Sequence, residues 1–157
     1  MAPPKPKYTI DTCSLTAMRR VYPEDVFPGA WKKLSDLVKS GAVVSVEPVL
    51  DELKGQDDVV FQWAQSHRAL FHPLSEAIQE EARRVLSAHP NLVDLKRRKS
   101  EADPFVVAQA ILNDCAVVTE ERPSGGPHRS KIPDVCKTHR VECIALLEML
   151  RREGLRL

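Results

Sequence analysis

Short apolar runs in this chain end at acidic residues, and helical patterns follow them. Tyr8-Thr9-Ile10 leads to Asp11, Ala42-Val43-Val44-Ser45-Val46 leads to Glu47, and Ala116-Val117-Val118-Thr119 leads to Glu120-Glu121. Apolar and β-branched runs this short read as buried strands. Between them stand segments of helical spacing. Trp31, Leu34, Leu37 and Val38 make one, stopped by Gly41. Ile78, Ala82, Val85 and Leu86 make another, which Ser75 is placed to cap and His89-Pro90-Asn91 ends.

Glu47-Pro48 opens a helix through Leu53 that Gly55 interrupts, and 59–66 reads as a further helix with Phe61 and Trp63 at its core or rim. Asp103-Pro104 starts the next, with Asp103 as cap and Pro104 in the first turn. Arg122 to Lys131 reads as a loop, Val141-Glu142-Cys143 as a last strand, and 145–153 as a closing helix. Alternating strands and helices predict an α/β layered domain with a mainly parallel sheet.

A chain of 157 residues is most simply one domain with a substantial core, its first seven residues a proline-rich frayed start. That start lacks the apolar stretch of a secretory signal, and no apolar run reaches the length of a membrane span. A cytoplasmic protein with no membrane partner is expected. Cys13, Cys115, Cys136 and Cys143 form no Cys-x-x-Cys pair, so buried free thiols are expected rather than a zinc ribbon. The net charge of +1 names no partner. The local clusters Lys96-Arg97-Arg98-Lys99 and His128-Arg129-Ser130-Lys131 would suit a phosphate backbone, although solvated surface charge is the ordinary role of such groups.

The acids carry the chemistry. Asp11, Glu52 and Asp103, with the pair Glu120-Glu121, are far apart in sequence but stand at strand ends and helix starts. In a parallel sheet such positions meet at one edge. Gathered carboxylates repel, and a hard divalent cation with oxygen ligands relieves them. Sites of that kind cut or transfer phosphodiesters. Thr12 and Ser14 are placed to hold the oxygens of Asp11. Thr119 and Glu121 share strand parity, so the hydroxyl is placed to steady that carboxylate, while Glu120 faces away or meets Arg122 or Lys131.

With these motifs in order, the chain resembles the PIN-domain nucleases, which include the VapC-type toxins. Ile10-Asp11-Thr12-Cys13-Ser14 is similar to the family's first Asp-Thr/Ser motif. Val49-Leu50-Asp51-Glu52-Leu53 is similar to the segment around its Glu, and Ala102-Asp103-Pro104-Phe105 to its third acidic motif. Val117-Val118-Thr119-Glu120-Glu121 is similar to its strand-then-Thr-x-acid motif. The chain departs from that pattern in carrying Glu at the fourth site and a long Gly/Pro loop after it. Phe27-Pro28-Gly29-Ala30-Trp31 and 131–136 look like a PIN-like subgroup of uncharacterised bacterial proteins.

The resemblance implies a three-layer α/β/α sandwich and an endoribonuclease. Asp11, Glu52, Asp103 and Glu121 would hold Mg2+ or Mn2+, with Glu120 the alternative fourth ligand and Thr12, Ser14 and Thr119 behind them. Arg129 and Lys131 would touch the RNA. It further implies a toxin silenced by a cognate antitoxin. The apolar face of Ile78, Ala82, Val85 and Leu86 would serve a homodimer as well as a core. Two other readings compete. One is a PIN-like module that binds RNA or protein without cutting. The other is a cysteine phosphatase built on the Cys-x5-Arg spacing of Cys13 and Arg19, against which stands a loop without glycine.

Overall fold

The computed structural model describes residues 4–94, 101–124 and 130–156. Five parallel strands form one sheet in the order β3-β2-β1-β4-β5. They are β1 (Tyr8–Ile10), β2 (Val43–Val46), β3 (Phe71–His72), β4 (Ala116–Val118) and β5 (Cys143–Ile144). The three strands β1, β2 and β4 are buried at every residue. This is why they read as continuous apolar runs rather than alternating ones: helices cover both faces of the sheet.

The helices are α1 (Thr12–Val21), α2 (Pro28–Lys39), α3 (Glu47–Gln56), α4 (Asp58–Gln65), α5 (Glu76–Ala88), α6 (Asp103–Asn113), α7 (Ile132–Thr138) and α8 (Leu146–Arg152). With the right-handed crossover usual for parallel strands, α1–α4, on the connections leading outward through β2 to β3, fall on one face, where α1, α3 and α4 pack together. The return from β3 to β4 carries α5 and α6 across the other face, where α7 also packs on α6. The result is a three-layer α/β/α sandwich.

Local signals set most boundaries. Ser75 Oγ accepts from the Ile78 amide at 3.2 Å and starts α5. Pro28 opens α2, and Gly41, at φ +79, takes the left-handed turn after it. The α5 face of Ile78, Ala82 and Val85 is buried, with α6 packed against α5, so this chain already covers it. Helix α6 buries both its apolar stripe and the polar Gln109. Gln109 Nε2 donates to the Ser45 carbonyl at 2.7 Å, its Oε1 accepts from Thr9 Oγ1, and Ser45 Oγ donates to the Ile10 carbonyl at 2.8 Å. This buried network pins α6 onto β1 and β2.

Several boundaries differ from the sequence reading. β3 and α7 were not expected; the first is two residues long and the second follows a Gly/Pro-rich loop. Helix α3 runs through Gly55, where glycine weakens a helix without breaking it. The last strand begins at Cys143, not Val141. Asp103 is the first helical residue of α6, after Ala102 as cap, and so lies inside the turn it was expected to precede. Lys7, assigned to the frayed start, extends the β1 ladder by donating to the Ala42 carbonyl at 2.8 Å and accepting from the Ala116 amide at 3.2 Å. All four cysteines are free. No helix among the described residues is long and apolar enough to cross a membrane.

Candidate metal centre

Strand order reverses direction between β1 and β4, and the crevice beyond the carboxyl ends of such a pair is where α/β sheets take ligands. The acids converge there. Asp11 leaves β1 and caps α1, its Oδ1 accepting from the Thr12 amide at 2.7 Å. Asp103 arrives on the first turn of α6. Glu121 stands three residues past the end of β4, its Oε2 held by the Ile132 amide at the start of α7 at 3.1 Å. One carboxylate oxygen from each of Asp11, Asp103 and Glu121 lies within 4.8 Å of the other two. Asp11 and Asp103 are 3% and 4% exposed, so water does little to screen them.

The cost of this arrangement appears in protonation. Burial, and then the charge of Glu121, push the Asp11 carboxyl up to about 6. It stays that low because hydrogen bonds from Cys13 and the Thr12 amide favour the charged form. Burial likewise pushes the Glu52 carboxyl up. Oxygens at this mutual spacing suit a cation with ligand distances of roughly 2.0–2.6 Å.

Glu52 borders the same cavity of about 720 Å³ but lies outside the close trio. Its Oε1 accepts from Thr12 Oγ1 at 2.6 Å, so Thr12 serves Glu52 through its hydroxyl and Asp11 through its amide. Asp51 and Glu101 also border the cavity, making six carboxylates and, among the described residues, no basic side chain. The sequence reading assigned no role to either Asp51 or Glu101. Proximity to the expected ligands Glu52 and Asp103 was the available signal.

Thr119 Oγ1 donates to Asp11 Oδ2 at 3.1 Å and accepts from the Glu121 amide at 3.2 Å. Ser14 does not share this work, because its Oγ is buried with no hydrogen-bond partner among the described residues. One residue nearer on α1, Cys13 takes that place, its thiol donating to Asp11 Oδ2 at 3.2 Å. Among the described residues Glu120 meets no basic group. Its Oε1 accepts from the Leu146 amide at 2.7 Å and caps α8. Lys131 precedes α7 and does not border the acidic cavity. Arg129 and the cluster 96–99 lie outside the described residues. A phosphatase loop would need Arg19 facing a Cys13 thiolate. Arg19 pairs with Asp57 at 3.3 Å, and burial, then the charge of Asp11, push the Cys13 thiol up.

Residues 8–157 match the family DUF4411, described as a domain of unknown function. The chain belongs to DUF4411. The match spans all five strands and every acid of the site. The DUF4411 domain therefore includes the crevice between β1 and β4 together with the residues that close it. No curated protein matches the sequence.

Proposed function

We propose that this protein is a PIN-like, metal-dependent endoribonuclease whose acidic crevice holds Mg2+ or Mn2+. The observation that carries the reading is the meeting of three carboxylate oxygens, from Asp11, Asp103 and Glu121, within 4.8 Å at the strand-order reversal. Asp11, Asp103 and Glu121 would bind the cation directly, and Glu52, held by Thr12, would complete the set from the cavity wall. When bound, the cation lowers the pKa of a coordinated water and steadies charge on the attacked phosphate. Thr119 keeps the Asp11 carboxylate aimed, and the Ile132 amide does the same for Glu121. In-line attack by water leaves a 5′-phosphate and a 3′-hydroxyl. The resemblance to VapC-type toxins extends the proposal to a cytoplasmic toxin restrained by an antitoxin.

A second reading is a PIN-like module that binds RNA or protein without cutting. Its protein-binding form is favoured by one observation: the described cavity wall carries six carboxylates and no cation to meet a phosphate backbone. A manganese titration of RNA cleavage, run with the wild-type protein and Asp11→Asn, separates the two. Manganese-dependent cleavage that Asp11→Asn abolishes supports the nuclease. Equal cleavage by both proteins rejects this site as its source. RNA binding by wild type with no cleavage at any manganese concentration favours the binding module.

A further inference from the structure

We infer that Cys13 is a positioning residue of the acidic crevice: its Sγ ties Asp11 to the chain leaving β4 and so sets which of the adjacent acids Glu120 and Glu121 enters the site. Three contacts meet at that sulfur. The thiol donates to Asp11 Oδ2 at 3.2 Å, lies 3.2 Å from Thr119 Oγ1, and accepts from the Glu120 amide at 3.3 Å. Next to it, the Glu121 amide donates to Thr119 Oγ1, which donates to Asp11 Oδ2. Both amides that follow Thr119 are therefore taken up by side chains anchored on Asp11.

Every proton in this cluster has a place. The hydroxyl proton of Thr119 and the thiol proton of Cys13 both lie on Asp11 Oδ2, leaving the Thr oxygen and the Cys sulfur to accept one amide each. Beyond β4 the chain at 120 and 121 has no strand neighbour among the described residues to fix its direction. The pair of amide contacts supplies that direction. With them made, Glu120 reaches the Leu146 amide and Glu121 joins Asp11 and Asp103. If the Glu120 amide is released, the turn is free to rotate, and a solvated Glu121 carboxylate no longer opposes two buried charges.

The functional part of this inference rests on the metal-site reading; the structural part does not. The experiment therefore reads both, in Cys13→Ser, which keeps a donor and an acceptor, and in Cys13→Ala and Cys13→Val, which keep neither. Cys13→Val also holds the side-chain volume. Hydrogen exchange of the Glu120 amide is measured in metal-free protein, Mn2+ affinity by calorimetry, and Tm by thermal melts.

In Cys13→Ala and Cys13→Val the Glu120 amide should exchange at least about tenfold faster. Their Mn2+ affinity should fall by about tenfold or more. Cys13→Ser should stay within about threefold of wild type in both. Unchanged exchange in Cys13→Ala and Cys13→Val overturns the inference. So does a Ser variant as impaired as Ala with Tm falling in parallel, which marks Cys13 as packing alone. So does unchanged Mn2+ affinity after the amide has been released. If the wild-type protein binds no Mn2+ while the exchange pattern holds, the metal reading falls and the positioning of Glu120 by Cys13 stands.

Discussion

The Ile132 amide donates to Glu121 Oε2 at 3.1 Å, so the first residue of α7 holds the acid that comes from beyond β4. The neighbouring Glu120 is held the same way by the first residue of α8, through the Leu146 amide at 2.7 Å. Two consecutive glutamates thus serve two different helix starts, and only one of them joins the buried acids. Helix N-termini favour nearby negative charge, which suits both contacts.

This division of labour separates the two variants. Glu121→Gln should weaken Mn2+ binding by roughly tenfold or more, because the proposed direct ligand loses its charge. Glu120→Ala should leave Mn2+ affinity within about threefold and lower stability by about 0.5–2 kcal/mol through the lost cap. Calorimetry with Mn2+ and urea unfolding, run on both proteins, check this. A larger loss of affinity in Glu120→Ala would exchange their roles.

Asp11 makes metal-free stability depend on pH. Its folded carboxyl titrates at about 6, above the ordinary 3.8, so the native state holds the proton more tightly than the unfolded chain. Stability from this group is full below about pH 4 and is lost as pH rises towards 6. Asp11→Asn removes the titration. Its Tm without metal should exceed wild type above pH 6, and the gap should close near pH 4. A gap independent of pH would show that the charge of Asp11 is not what strains the site.

In the proposed metal site, protons and metal compete for the same oxygens. Mn2+ should raise the Tm of wild type, by more at pH 7.5 than at pH 5, since ligands must be deprotonated to bind. Asp103→Asn should lose most of that rise. A thermal-shift series over Mn2+ concentration at both pH values measures it, and an equal rise in Asp103→Asn would place the cation elsewhere.

Gln109 is expected to be costly to remove although it lies away from the acidic cavity. Gln109→Leu strands the Thr9 hydroxyl and the Ser45 carbonyl in the core. Each lost partner costs about 1–3 kcal/mol. Urea unfolding with an unchanged m-value would assign the loss to the folded state. A destabilisation below about 1 kcal/mol would show that the network relaxes around the change.

The strands β1, β2 and β4 were legible because burial on both faces leaves an unbroken apolar signature, and α5 because its cap and apolar stripe agree. β3 was not legible, since two residues at Phe71–His72 carry no periodicity. For α7 the signal was present but local: Pro133 in the first turn and Asp134 accepting from the Lys131 amide at 2.9 Å. The placing of Asp11 and Asp103 at one edge followed from strand ends and helix starts, whereas the retreat of Glu52 to the cavity wall depends on where Thr12 points. The roles of Cys13 and Ser14 could not be told apart in sequence, because one residue of helical rotation decides which side chain reaches Asp11. Gln109 offered a clue in being the one polar residue within Val106-Val107-Ala108-Gln109-Ala110-Ile111.

Asp103 and Gln109 sit on the same helix six positions apart, or roughly 9 Å along its axis. The bonds of Gln109 to Thr9 and Ser45 prevent α6 from sliding along the sheet, so the height at which Asp103 meets Asp11 is decided in the dry interior. The reach of an acid at the crevice is thereby built into a contact that no solute touches. Losses of function from changes at Thr9, Ser45 or Gln109 would then reflect a displaced carboxylate as much as a weakened core.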